Sequence, residues 1–208
     1  MILAFDLDGT LITAEGRQSL LLKAVATRHR VLLSASDIWR KKREGLNNID
    51  TLLALGLNQS LAKRIDAAWK DNVETPFWLS MDTLFQDTIS NLHKLNDSGH
   101  QLILITARQN EILMRNQVYR LGIERFFCAI ICVSPFNSSN LKSNVLRRVD
   151  ADGFIGDSES DFNSAKTANV PFYGVSTGQR SEMFLKSIGV DAVSKTLTLA
   201  VSNLLGMH

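Results

Sequence analysis

Asp6 and Asp8 stand two positions apart in the run Asp-Leu-Asp-Gly-Thr-Leu, directly after an apolar stretch, Ile2 to Phe5. If that stretch is a buried strand, alternation along the chain turns both carboxyl groups to one side, and Gly9 lets the backbone break away just past the sheet edge. Two carboxylates in one small volume repel strongly unless a cation lies between them or one holds a proton. The pair therefore predicts a magnesium site, an acid/base pair, or both; a solvated turn is the alternative for this loop taken alone. A second acidic pair stands in Ile155-Gly-Asp-Ser-Glu-Ser-Asp161. Gly156 permits close approach, Asp157 directly follows an apolar strand, and Asp161, at a helix start, is either part of the same site or a helix N-cap. Thr106 ends the apolar run Leu102 to Ile105, where its hydroxyl and the neighbouring amides, Ala107 included, could donate to phosphate oxygens or cap a helix. Lys142, early in a later helix, is placed to reach over the same edge or to lie on the surface. Magnesium takes oxygen ligands in a near-octahedral shell, and the carboxylates of Asp6 and Asp157 with the backbone carbonyl of Asp8 suit it.

These residues need a scaffold that gathers strand ends. From Phe85 onward helical and strand patterns alternate: helix Gln86 to Asp97 with Gly99 as its cap, strand Gln101 to Ile105, helix Asn110 to Leu121, strand Ala129 to Val133, helix Asn140 to Val149, strand Gly153 to Ile155, helix Asp161 to Asn169 and strand Phe172 to Val175. Helices over Arg180 to Ile188 and Thr196 to Leu205 flank a weak strand near Ala192 and Val193. Strands separated by helices of this length pair in parallel through right-handed crossovers, so the predicted class is α/β, a Rossmann-like three-layer parallel sheet. Ligands in such sheets bind beyond the carboxyl ends of the strands. The stretch from Ile12 to Ser80 differs, with helices over Gly16 to Arg28, Ser36 to Arg43, Asp50 to Leu55 and Ser60 to Val73 and no strand. The expected division is an α/β core of residues 1–13 and 81–208 with an inserted all-helical cap over residues 14–80, hinged near the Asp6/Asp8 loop.

The 208 residues suffice for one core and a smaller module. A net charge of +2, with 21% charged residues and no long block of one sign, calls for neither nucleic acid nor membrane as partner. The basic run Arg40-Lys41-Lys42-Arg43 is expected to be a solvated helix face. Cys128 and Cys132 lack the spacing of a redox or zinc site and are expected in the core, and the four histidines on the surface. With a strand beginning at Ile2 and no apolar stretch long enough to cross a bilayer, a cytoplasmic location is expected. The sequence gives no reading of oligomeric state.

In order and spacing, FDLDGTL, LITAR, Lys142 and GDSESD resemble the haloacid dehalogenase superfamily of phosphohydrolases over nearly the whole chain, and the helical insert is similar to the cap of its phosphoglycolate phosphatase and phosphoglucomutase branch. The resemblance implies that Asp6 is a nucleophile forming an aspartyl phosphate, Asp8 the general acid/base, Thr106 and Lys142 phosphate binders, and Asp157, with or without Asp161, a magnesium ligand beside Asp6 and Asp8. The implied substrate is a small-molecule phosphate ester. Serving as acid and then base requires Asp8 to have a raised pKa. An acid at this position favours phosphatases over dehalogenases. The mutase branch commonly carries Gly-x-x-Arg in the cap, where this chain has Gly45-Leu-Asn-Asn48; Arg40 or Arg43 could substitute, and cap specificity is expected near Arg43, Gly45 and Asn48. A non-catalytic module that kept the fold is the remaining alternative. The chain departs from the family's usual form at Ile12-Thr13-Ala14, in place of Asp-Ser, and at Arg108, which is either an aid to binding an anionic substrate or a surface arginine at a helix start.

Overall fold

The computed structural model describes residues 1–206; the last two residues assigned to the core, His208 among them, lie outside the described residues. Six parallel strands, β1 (Ile2–Phe5), β2 (Gln101–Ala107), β3 (Ala129–Val133), β4 (Gly153–Gly156), β5 (Phe172–Val175) and β6 (Val193–Ser194), form one sheet in the order β3-β2-β1-β4-β5-β6. The order runs outward from β1 to β3 on one side and from β4 to β6 on the other, so the crossovers reverse between β1 and β4. In an open parallel sheet that reversal leaves a crevice at the carboxyl ends of the two strands. Asp6 follows β1 and Asp157 follows β4.

Period-two alternation sorts each strand between two apolar layers. Leu3, Phe5, Leu102, Leu104 and Ile155 share one core with Leu92, Leu95 and Leu197. Ala4, Ile103, Ile105 and Phe154 face the other way, against Val145, Leu146 and Ala165. The helices that cover these layers are α6 (Thr88–Asp97), α7 (Glu111–Arg120), α8 (Ser138–Arg148), α9 (Glu159–Ala168), α10 (Glu182–Ser187) and α11 (Leu197–Leu204). β3 is an edge strand whose residues are all half-buried. That position corrects the expectation for Cys128, which lies just before it and is exposed, whereas Cys132, half-buried, packs against the core.

Between β1 and α6 the chain makes a π-helical turn (Gly16–Leu20), α1 (Leu21–Arg28), α2 (Ala35–Arg43), α3 (Asn48–Ala54), α4 (Gln59–Asn72) and a short α5 (Pro76–Leu79) that sequence patterning does not reveal. Leu21, Leu22, Val25, Ile38, Leu52 and Ile65 make an apolar centre separate from both sheet layers. Three of these helices begin on side-chain caps, Ser34, Asn47 and Asn58, which satisfy otherwise orphaned amides. The chain enters and leaves this helical cap side by side, with Thr13 N–H donating to Thr83 O at 2.8 Å. Among the described residues no helix is long and apolar enough to cross a membrane.

Candidate active site

Sequence-distant acids meet at the crevice. Asp6, Asp157 and Asp161 are 5%, 3% and 1% exposed, and each offers an oxygen within 4.8 Å of the others. Lys142, from the second turn of α8, places its Nζ 2.6 Å from both Asp6 Oδ1 and Asp161 Oδ1. The N-cap of α9 is Ser158 and not Asp161, which corrects one of the two sequence readings. Ser158 Oγ accepts from the Asp161 amide at 3.3 Å and donates to Asp161 Oδ2 at 2.6 Å, a reciprocal cap that leaves Oδ1 for Lys142.

Two glycines make room for Asp157. A Cβ on Gly9, where φ is +78°, would lie 2.6 Å from Gly178 Cα and overlap the Asp157 carboxylate, and one on Gly178 would meet the same carboxylate. A Cβ on Gly156 would stand 2.6 Å from Asp161 Cβ. Asp157 Oδ2 accepts from the Gln179 amide at 2.5 Å. The loop after β5 thus belongs to the site, with Thr177 Oγ1 donating to Gly9 O at 2.6 Å. Sequence reasoning missed it, although its signal is the same as that of the other strands: polar residues and a glycine directly after an apolar run.

Burial, with Asp161 and Asp8 acting against the pull of Lys142, raises Asp6 to about 7. Burial, then Asp6 and Asp161, push Asp157 well above the ordinary carboxylate range. Burial works against the charge of Lys142, but Asp161 and Asp6 outweigh it and raise its pKa. Three carboxylates against one ammonium leave two negative charges uncompensated, which equals the charge of one divalent cation. Asp157 makes the case: its carboxylate is fixed by a backbone amide and a glycine cradle yet has no cationic partner within hydrogen-bond distance among the described residues. An all-oxygen donor set of this kind suits a hard divalent ion. The carboxylate of Asp8 does not belong to the cluster, so its expected share in a metal site is confined to its backbone carbonyl.

Asp8 instead accepts from Arg17 Nη2 at 2.5 Å and Arg108 Nη2 at 2.6 Å, both on Oδ1. Burial works upward on its pKa, but Arg108 and Arg17 outweigh it and hold Asp8 below the usual carboxylate value. This reverses the expectation of a raised pKa, because the two guanidinium groups favour the charged form. The contacts close into a ring: Arg17 Nε donates to Asp82 Oδ2 at 2.7 Å, Gln117 Nε2 to the same oxygen at 2.9 Å, and Arg108 Nη2 to Gln117 Oε1 at 3.2 Å. Arg17 opens the cap and Asp82 follows it, so both joints of the insert bear on Asp8. Burial raises Asp82 to about 6 against the opposing pull of Arg17.

A cavity of about 280 Å³ is lined by Asp6, Asp8, Thr106, Ala107, Lys142 and Asp157, with Gln18 and Trp69 of the cap as part of its wall. Thr106 is 1% exposed at the end of β2, and α7 begins on Asn110, so Thr106 caps no helix. The cap residues fall differently from expectation. Arg40 pairs with Asp37 on an exposed face, and Arg43 donates to Gly178 O at 2.7 Å and Ser176 O at 3.0 Å, bonding cap to core. Gly45, at φ +101°, lies against the Phe184 ring. Asn48 accepts from Lys42 Nζ at 2.5 Å and donates to Asp66 Oδ1 at 2.9 Å. Lys42, expected on a solvated face, is 2% exposed over the Trp69 ring; burial first, then Arg180, lower its pKa to about 7.

The profile of the family described as haloacid dehalogenase-like hydrolase matches residues 3–175. Among solved structures, a haloacid dehalogenase-like family hydrolase, SP0104 from Streptococcus pneumoniae, is similar with a TM-score of 0.79 and 17% identity over 97% of each chain. A predicted phosphatase from Clostridium acetobutylicum gives 0.77 and 17%, covering 99% of this chain and 98% of that one. A provisionally named phosphoglycolate phosphatase from Lactobacillus delbrueckii subsp. bulgaricus gives 0.75 and 18% over 99% and 98%. No curated protein sequence matches the chain. At such identities the structures speak for the fold, whereas the family match spans the β1, β2 and β4 strand ends that hold the acids, Thr106 and the gathering crevice. The chain belongs to the haloacid dehalogenase-like hydrolase family.

Proposed function

We propose that the protein is a magnesium-dependent phosphatase that hydrolyses a small phosphate monoester through an aspartyl phosphate on Asp6. The observation that carries this reading is the convergence of Asp6, Asp157 and Asp161 on Lys142 at the crevice between β1 and β4. Uncatalysed hydrolysis of a phosphate monoester is among the slowest of reactions, and charge repulsion between ester and nucleophile is the obstacle to remove. Bound by Asp6, Asp157 and the Asp8 carbonyl, with Asp161 at the cluster, magnesium supplies positive charge that neutralises the phosphoryl oxygens.

The chain's own groups do the rest. Lys142 holds positive charge beside Asp6, and the hydroxyl of Thr106 with the amides near Ala107 orients the phosphoryl group for in-line attack by the Asp6 carboxylate. Asp8 donates a proton to the departing alkoxide. It then takes a proton from the water that attacks phosphorus, which releases inorganic phosphate and restores Asp6. Arg17 and Arg108 oppose a proton on Asp8, and the dianionic ester opposes the arginines, so Asp8 takes up its proton as substrate arrives. The 280 Å³ cavity favours a small ester, and a cytoplasmic setting belongs to the same reading.

A mutase needs a cap cation for a second phosphate. Asn48 is buried in a bond to Lys42, Arg43 is committed to core carbonyls and Arg40 is exposed, so none of these fills that role. Phosphate release should be measured across a panel of metabolite monoesters with magnesium and with chelator. The reading requires release with magnesium, loss with chelator and loss in Asp6→Asn; a pure, folded protein inert towards every ester would favour the non-catalytic alternative.

A further inference from the structure

The loop between β5 and α10, residues 176–181, is held from two sides. On the cap side it meets the end of α2: Arg43 donates to Gly178 O and Ser176 O, the Ser181 amide donates to Arg43 O at 3.0 Å, and Arg180 Nη1 donates to Lys42 O at 2.7 Å. On the core side the Gln179 amide donates to Asp157 and Thr177 to Gly9 O, while Arg180 Nε and Nη2 reach the carboxylate of Glu159, the first residue of α9, at 2.6 Å each. Arg180 is 5% exposed, and each of its guanidinium nitrogens has a protein acceptor. Its place is favoured twice, since the carboxyl end of a helix collects partial negative charge and a two-bond fork onto a carboxylate is the strong geometry for a guanidinium.

None of these arginine bonds ends on Asp6, Asp157 or Asp161. What they pass to the acid cluster is position: the loop presents one amide to Asp157, and α9 carries Asp161 two residues after Glu159. A group that fixes where a ligand's oxygens point tunes metal affinity without touching the metal.

We infer that Arg180 is a positioning residue for the divalent cation. It ties the end of α2 both to the loop that orients Asp157 and to the start of α9, so that seating of the cap and binding of the cation strengthen one another. The coupling is reciprocal: the factor that a seated cap adds to cation affinity, the cation adds to seating. The inference rests on the metal site of the proposed phosphatase.

The test needs no substrate. Magnesium affinity is measured by calorimetry on the full chain, and seating by hydrogen exchange at the Ser181 amide, whose bond crosses from core to cap. Arg180→Gln should weaken magnesium binding about tenfold or more. Arg43→Ala, a change in the cap that removes only bonds to loop carbonyls, should weaken it about fivefold or more. Arg180→Lys, which keeps the charge without the fork, should fall between wild type and Arg180→Gln, and Arg40→Ala, on the exposed face of α2, should bind as wild type does. Magnesium should slow Ser181 exchange in the wild type, and less so in Arg180→Gln. A merely structural role would lower stability in urea and leave magnesium affinity where it was. Should Arg180→Gln not fold, as judged by circular dichroism, Arg43→Ala and Arg180→Lys decide. Unchanged affinity in Arg43→Ala or Arg180→Gln, wild-type affinity in Arg180→Lys, or Ser181 exchange indifferent to magnesium overturns this inference alone. A wild type that binds no magnesium overturns the metal site and this inference with it.

Discussion

Raising the pH without a divalent cation should destabilise the protein, because Asp6 and Asp157 resist ionisation where they stand. Burial, opposed by Lys142 and aided by Asp161 and Asp8, lifts Asp6 from 3.8 to about 7; roughly 3 units at 1.36 kcal/mol each is on the order of 4 kcal/mol. A carboxyl harder to ionise in the folded than in the unfolded chain makes the native state bind more protons. Its penalty is absent below about pH 4, and stability falls from there towards pH 7 by up to about 1.4 kcal/mol per unit. Asp157 shifts in the same direction, and Asp82, raised by burial to about 6, adds to the lower part of the window. Asp8 runs the other way. Despite burial, Arg108 and Arg17 depress its pKa, so its stabilising contribution is present above the ordinary aspartate range and is lost only as pH falls through the lowered value. It therefore does not mask the trend between about pH 5 and 7; above that range Lys42, lowered by burial and Arg180 to about 7, works the other way, because the folded chain gives up a proton that the unfolded chain keeps. Urea unfolding with chelator across that range should show stability dropping by about 2–4 kcal/mol, magnesium should recover more at the alkaline end than at the acid end, and Asp157→Asn should flatten both responses. Stability that rises with pH in chelator, or an equal gain from magnesium throughout, refutes the charge argument.

Lys142→Ala removes the cation that pairs with both Asp6 and Asp161; kcat should fall about 10²–10³-fold and stability by about 3–5 kcal/mol, read by phosphate release and urea unfolding. Gly9→Ala sets a Cβ against Gly178 and the Asp157 carboxylate at a left-handed φ of +78°; a loss of about 1–3 kcal/mol together with weaker magnesium binding by calorimetry is expected. Asp8→Asn should cost about 10²–10⁴ in kcat on alkyl phosphates, but much less on para-nitrophenyl phosphate, whose leaving group departs without a proton, and equal losses on both would contradict its role as acid. Arg43→Ala removes two bonds from cap to core, to Gly178 O and Ser176 O, and should change KM and kcat together.

The sheet and its acids were legible because they follow local rules: an apolar run, then a polar turn, at β1, β2 and β4. Asp161 could not be assigned from spacing, since a cap and a ligand occupy the same turn of α9; only the position of Ser158 separates them. The ring of contacts that closes around Asp8 and its two arginines was illegible for a different reason. Arg17, Asp82 and Gln117 come from three elements and meet only through the cap's attachment, which no local pattern encodes. Lys42 shows the limit of reading a charge run as one face: Arg40 and Lys41 are surface residues, while helical rotation turns Lys42 inward onto Asn48 and Trp69. Cys128 misled because an apolar run does not reveal whether its strand is central or at the edge.

The claim on which the account rests is that Asp6 carries the phosphoryl group. Rapid quenching in acid during turnover, followed by mass spectrometry of the peptide that contains Asp6, tests it directly. The account predicts one phosphoryl group on Asp6 that forms and decays at rates consistent with kcat and is absent from Asp6→Asn. An unmodified Asp6 in the wild type, with Asp6→Asn still turning over, would contradict it.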